Sequence, residues 1–131
     1  MYATTRASVM TVGRILLVLI FLISGANKAL DVAGTAGTIA GKGLPQPQVL
    51  AALTILLEIG GGLLVIFNRF AMPAALALAT FCVATAVIFH NFWTYEDAVQ
   101  YRNQFNHFMK NIALAGAFLT IAATPPLAKT Q

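Results

Sequence analysis

Long apolar stretches dominate this chain and constrain its fold more than any other feature. Residues 70–89 and 111–128 contain no charged side chain, and each is long enough to cross the hydrocarbon core of a bilayer as a helix. Residues 9–30 and 50–67 are also apolar, apart from charges near the ends of the first stretch and Glu58 at the centre of the second. We therefore predict four transmembrane helices, near residues 9–30, 49–67, 70–91 and 105–123.

The composition agrees with a membrane protein. Hydrophobic residues make up 59% of the 131 residues and charged residues only 9%, with a mean hydropathy of +0.80. Such a chain lacks the polar surface that a soluble domain requires. The formal net charge of +4 comes from scattered lysines and arginines with no basic face, so we expect a lipid bilayer and no nucleic acid as partner. A single cysteine, Cys82, excludes an internal disulfide.

The connections between these stretches define the expected topology. The first is rich in glycine and proline and has room for a short interfacial helix around residues 32–40. The second is a tight turn at Asn68-Arg69, and the third is the most polar stretch of the chain. With no repeat and no soluble segment, we predict one all-α domain over residues 1–131, a bundle of four transmembrane helices with an interfacial segment in the first connection.

The charge distribution bears on orientation. The eight basic residues divide equally between the two predicted faces of the membrane, so their count does not decide it. The compact Arg69 turn and the basic start of the first helix favour cytoplasmic amino and carboxyl termini.

Glu58 is the most unusual residue, because a carboxylate at the centre of an apolar helix costs several kcal/mol unless it is paired, neutralised or used. In the predicted fourth helix, Gln104, His107, Lys110 and Asn111 share one face. Arg14 approaches from the opposite leaflet. We predict that Glu58 pairs with Lys110, with Arg14 or with both. Two interpretations stay open: a buried ion pair that fixes helix register, and a functional site.

Polar residues also converge at one end of the predicted bundle, because the first and third connections lie on the same face of the membrane. We predict a small-molecule pocket there. Lys28 and Arg14 have a simpler alternative, since side chains near helix ends can extend to lipid headgroups. The candidate site residues are Lys28, Glu58, His90, Asn91, Gln104, His107, Lys110 and Asn111, with Arg14 as a buried charge partner.

Two histidines raise the question of a cofactor. Imidazole ligates haem and transition metals, but His90 and His107 lie near helix ends, where hydrogen bonds to water or carbonyls explain them better. We therefore expect no metal site and disfavour haem. An imidazole can also donate a hydrogen bond to a quinone carbonyl, and we consider a quinone the best candidate ligand. Nucleotide-binding and acyl-transfer motifs are absent from the sequence.

Several sequence blocks together resemble the DoxX family. They are Ser24-Gly25-Ala26-Asn27-Lys28, Gly43-Leu44-Pro45, Leu57-Glu58-Ile59-Gly60-Gly61-Gly62, Phe89-His90-Asn91-Phe92-Trp93, and the stretch from Gln104 to Gly116. The resemblance spans nearly the whole chain. It implies a small four-helix protein of the bacterial cytoplasmic membrane, in a family linked unevenly to membrane redox chemistry and to oxidative or thiol stress. The chain has no fused DoxA-like domain, so thiosulfate oxidation is not carried over.

Three functional hypotheses follow. The first is an accessory, non-catalytic subunit of a quinone-linked oxidoreductase, which works with a redox partner protein because the chain has no evident redox centre. The second is a structural or assembly subunit of a membrane complex, with a polar core and no small-molecule site. The third is a small transporter or efflux component, which would function as a homo-oligomer because no inverted repeat is visible.

Overall fold

The computed structural model describes residues 1–125, and that part of the chain is helical without a β-strand. We number five helices in chain order. A short 3₁₀ turn, Phe92–Thr94, lies in the connection between the last two. The helices are α1 Tyr2–Leu30, α2 Val32–Gly41, α3 Pro47–Ile66, α4 Ala71–Phe89 and α5 Ala98–Ala123.

Three of these helices, α1, α3 and α4, are long and apolar enough to cross a membrane. Helix α5 has 26 residues, but its first half carries three of the polar residues predicted for the pocket, Gln104, His107 and Lys110. The all-α fold and the transmembrane helices are thus confirmed. The fourth crossing, by α5, stays a prediction.

Two helices begin seven residues earlier than predicted, and the short helix expected in the first connection is present. Helix α1 begins at Tyr2 instead of residue 9, and α5 begins at Ala98 instead of residue 105. The Asp97 carboxylate caps α5 by accepting a hydrogen bond from the Gln100 backbone N–H at 2.8 Å. Helix α2 corresponds to the predicted interfacial segment. Asp31 caps it in the same way, through the Gly34 N–H at 2.9 Å.

Helices α1 and α3 run antiparallel at very short range because glycines face the neighbouring helix at two levels. A Cβ atom added at Gly25 would lie 2.7 Å from Ile59 Cγ1 and 3.1 Å from Glu58 Cβ. One added at Gly62 would lie 2.6 Å from Val18 Cγ1. The close approach permitted by glycine thereby sets Glu58 level with the carboxyl-terminal third of α1.

Helix α3 contains a π-helical turn, Leu57–Gly61, and Glu58 is its second residue. A π-turn accommodates one extra residue within an α-helix and is common at functional sites. Glu58, Gly61, Gly62 and Val65 lie on one side of α3, and all four are buried. The π-turn itself was not predicted.

The apolar core fills the half of the helices away from α2. Its fully buried side chains include Val18 of α1, Val65 of α3, Leu78 of α4 and Phe118 of α5. The rings of Phe21 and Phe118 meet edge to face with centroids 5.3 Å apart, which joins α1 to α5. A smaller cluster of Ala36, Ile39 and Ala51 holds α2 against α3.

Candidate functional site

The central feature of the site is an ion pair between Lys28 of α1 and Glu58 of α3. The Lys28 ammonium donates to Glu58 Oε2 at 2.9 Å and to Oε1 at 3.0 Å. The Ser24 hydroxyl, one helical turn before Lys28, accepts a bond from that ammonium and donates to Glu58 Oε1 at 3.1 Å. The Glu58 side chain is 4% exposed and that of Lys28 30%. The positive charge of Lys28 therefore compensates the buried carboxylate, which accepts hydrogen bonds from an ammonium and from a hydroxyl group.

The predicted partners of Glu58 were wrong. Neither Lys110 nor Arg14 forms an ion pair with it, and the partner is Lys28, which had been named a candidate site residue with a headgroup contact as the alternative. Arg14 does not reach Glu58 because of the register between α1 and α3. Gly25 is level with Glu58, and Arg14 lies eleven residues before Gly25, about 16 Å away along α1. Arg14 is buried at 8% exposure, and its Nε has no hydrogen-bond partner among residues 1–125.

A cavity of about 840 Å³ lies above this ion pair, and all five helices contribute to its lining. Its walls are mainly apolar, with Phe81, Ile88 and Phe89 from α4 and Leu114 from α5. Lys28 and Glu58 also line the cavity. An apolar chamber with a few convergent polar groups is the usual form of a small-molecule site, and this volume suits a drug-sized ligand.

The two histidines lie side by side in this cavity. Their rings stack with centroids 5.0 Å apart and an angle of 22° between the planes. His90 Nδ1 lies 2.9 Å from Gln104 Oε1, and because an amide oxygen accepts hydrogen bonds, this contact fits the tautomer that carries a proton on Nδ1. Stacked rings do not place two nitrogens on opposite sides of one iron atom, so this arrangement does not provide bis-histidine ligation of haem.

Helix α5 contributes Lys110 and Asn111 as further polar lining residues. The Asn111 amide donates to the His107 carbonyl at 3.0 Å. Lys110 is exposed, and its ammonium forms no hydrogen bond or ion pair with another residue in the 1–125 range. The cavity thus contains one paired lysine, Lys28, and one unpaired lysine, Lys110.

The structure brings most of the predicted site residues together. Of the eight, Lys28, Glu58, His90, His107, Lys110 and Asn111 line the cavity. Gln104 does not line it but holds His90. Asn91 lies outside the lining, where its side-chain oxygen accepts a hydrogen bond from the Lys42 ammonium at 3.2 Å.

Sequence reasoning missed several polar lining residues with short side chains. Ser24 completes the ion pair, and the hydroxyls of Thr35, Thr38, Thr54 and Thr85 also line the cavity. The spacing of Ser24 and Lys28, one turn apart on α1, was the signal available for Ser24. Threonines in apolar helices carry no comparable signal, because they commonly bond their own backbone.

The fold and site together define a small, all-helical membrane protein with a buried ion pair at the edge of a mainly apolar cavity. The family model for DoxX matches residues 9–91. The chain belongs to the DoxX family.

Two relatives extend the similarity across nearly the whole chain. The inner membrane protein YphA of Escherichia coli is 33% identical over 125 residues, covering 95% of this chain and 89% of YphA. The inner membrane protein YqjF of the same organism is 36% identical over 116 residues, covering 88% of this chain and 82% of YqjF. No solved structure matches the chain. The names of both relatives and the long apolar helices of this chain therefore agree on a membrane protein.

Proposed function

We propose that this protein is an accessory subunit of membrane redox chemistry and binds a quinone or quinol head group in the cavity above Lys28 and Glu58. The observation that carries the proposal is the meeting of apolar walls with hydrogen-bond donors in one chamber of about 840 Å³. A quinone requires both, because its ring is flat and apolar while its carbonyl oxygens accept hydrogen bonds. Electrons would be exchanged with a redox partner protein.

Named side chains have distinct parts in this proposal. The Lys110 ammonium and the His107 ring line the cavity and can donate to a quinone oxygen. Gln104 fixes the orientation of His90 beside His107. The Lys28–Glu58 pair is already saturated by mutual bonds, so its part is to hold α1 against α3 beneath the ligand.

The chain contains its own reporter for a binding test. Trp93 is the only tryptophan and lies three residues after His90, and quinones quench indole fluorescence. Titration of the purified protein in detergent with ubiquinone-1 should quench Trp93 with saturation. His107→Ala or Lys110→Ala should weaken binding about tenfold, the effect of one hydrogen bond of about 1.5 kcal/mol.

Arg69→Ala provides the matched control, because Arg69 is an exposed residue in the α3–α4 turn at the opposite end of the helices. This variant should bind ubiquinone-1 like the native protein. Quenching that rises linearly without saturation would contradict the quinone site.

A scaffold subunit is the second candidate, and the Lys28–Glu58 pair favours it, since a buried pair that fixes the register of α1 and α3 needs no ligand. Absence of saturable quinone binding, together with partner proteins that copurify with the native chain, would give this function first place.

We also propose four membrane crossings in the bacterial inner membrane, with both termini in the cytoplasm. The names of the two relatives support the location, and the length of α5 supports the fourth crossing. In a Cys82→Ala background, Ala3→Cys and Thr130→Cys should react with an impermeant maleimide in inverted vesicles and stay unlabelled in spheroplasts. Thr130 lies outside the described residues. Labelling from opposite sides would contradict four crossings.

A further inference from the structure

We propose that the cavity selects a ligand with a negatively charged head group, namely an aromatic amphiphile with an ionised hydroxyl or a carboxylate on its ring. This inference rests on the proposed function for the ring class and deepens it by specifying the charge of the head group. The evidence is the distribution of charge and of hydrogen-bond donors around the cavity.

The charged residues of the lining sum to zero, but only Lys110 forms no hydrogen bond or ion pair with another residue of the 1–125 range. Lys28 and Glu58 are bonded to each other at 2.9 and 3.0 Å. Asp31 is exposed and accepts the Gly34 N–H as the cap of α2, whose positive helix end offsets its charge. Lys110 has no such partner within residues 1–125. Among the described residues of the lining, the one charged group without a bonded partner is therefore positive, and it lies on α5, whereas Asp31 lies at the α2 side of the cavity.

The side of the cavity formed by α4 and α5 contains no competing carboxylate. The acids of the α4–α5 connection, Glu96 and Asp97, do not line the cavity, and Asp97 is bonded to the Gln100 N–H. His107 lies one turn from Lys110 and stacks on His90. The ligand thus meets an ammonium and imidazole rings on this side, and these groups can satisfy a negatively charged oxygen.

The apolar walls beside these groups increase the effect of the charge. Phe81, Ile88 and Leu114 present apolar surface to the same space. A lysine charge beside such surface gains more from an anion than from a neutral carbonyl, because Coulomb interactions strengthen as the local dielectric falls. The same surface accommodates the ring of the ligand.

Two naphthoquinones of nearly equal shape provide the test. 2-Hydroxy-1,4-naphthoquinone is ionised at neutral pH, whereas 2-methoxy-1,4-naphthoquinone is neutral. Calorimetric titration of the native protein in detergent should show the ionised compound binding at least about tenfold more tightly, equal to about 1.4 kcal/mol. Lys110→Met should remove this preference, Lys110→Arg should keep it, and Arg69→Met should leave it unchanged.

Two results with these compounds would overturn the proposal. Equal affinities of the native protein for both quinones would remove the charge preference. A preference that survives in Lys110→Met would show that Lys110 does not provide it. Neither result would count against quinone binding itself.

Two further ligands distinguish the anionic head group from the quinone function and from lipid binding. If 2-naphthoate binds with dependence on Lys110 while neither quinone binds, the quinone function fails and the anionic head group stands. If none of these compounds binds, both proposals fail. Phosphatidylglycerol carries the same charge on a lipid, so displacement of the hydroxynaphthoquinone by this lipid with dependence on Lys110 would assign the site to lipid headgroups and overturn the aromatic ligand.

Discussion

The protein buries one charged side chain near the cavity and another in the apolar core, and the two differ in their bonding partners. At the cavity end, Glu58 has an ion-pair partner, a hydroxyl donor and an adjacent chamber. At the other end, Arg14 lies within a few residues of the tightly packed core around Val18, and its Nε has no partner within the described residues. The difference shows that burial of a charge alone does not indicate a ligand site. A charge that lines a cavity, as Glu58, Lys28 and Lys110 do, is the stronger signal.

The largest expected effect is the loss of stability in Lys28→Met. This change leaves the Glu58 carboxylate buried without its counter-charge, which costs about 3–5 kcal/mol of unfolding free energy. Lys110→Met is the matched control in the same cavity and should cost about 1 kcal/mol or less, because Lys110 has no ion pair to lose within residues 1–125. Unfolding in mixed micelles measures both. Equal losses would show that the ion pair does not distinguish the two lysines.

Gly25→Ala should have an intermediate effect. The new methyl group would lie 2.7 Å from Ile59 Cγ1, so α1 and α3 must separate or repack, at about 1–3 kcal/mol. Gly13→Ala on the same helix meets nothing within 4 Å and should be neutral or stabilising by about 0.5–1 kcal/mol, because alanine favours a helix. Thermal unfolding compares the two variants. The account of close helix approach fails if Gly25→Ala is as stable as Gly13→Ala.

Arg14→Met should have the smallest effect, about 1 kcal/mol or less in either direction. Its Nε has no hydrogen bond to lose among residues 1–125, and methionine can occupy similar apolar space. A loss of stability as large as that of Lys28→Met, in the same unfolding measurement, would show that Arg14 stabilises the fold as much as the Lys28–Glu58 ion pair does.

Much of the fold could be predicted from the sequence. A long apolar stretch marks each membrane helix, and a glycine- or proline-rich connection marks where one helix ends, so neither signal depends on how the helices pack. A short helix in the first connection was predicted on that basis and is confirmed as α2, while its position at the membrane interface stays a prediction. The start of α5 was wrong by seven residues, although Asp97 followed three residues later by Gln100 is a capping pattern visible in the sequence.

The site could be predicted in part only, for a reason that Glu58 illustrates. Sequence periodicity places a residue on one face of its own helix, and that was enough to gather His90, His107, Lys110 and Glu58 at one cavity. It does not fix the register between two helices. That register depends on the contact of Gly25 with Ile59, and the sequence alone therefore gave Glu58 the wrong partners.

The central claim is that Lys28 and Glu58 form one coupled pair beneath the cavity. A double-mutant cycle with Lys28→Met and Glu58→Gln, measured by unfolding in mixed micelles, tests it directly. We expect a coupling energy of about 2–3 kcal/mol for this pair and less than about 0.5 kcal/mol for Lys110→Met with Glu58→Gln. Negligible coupling between positions 28 and 58, or stronger coupling between positions 110 and 58, would contradict the claim.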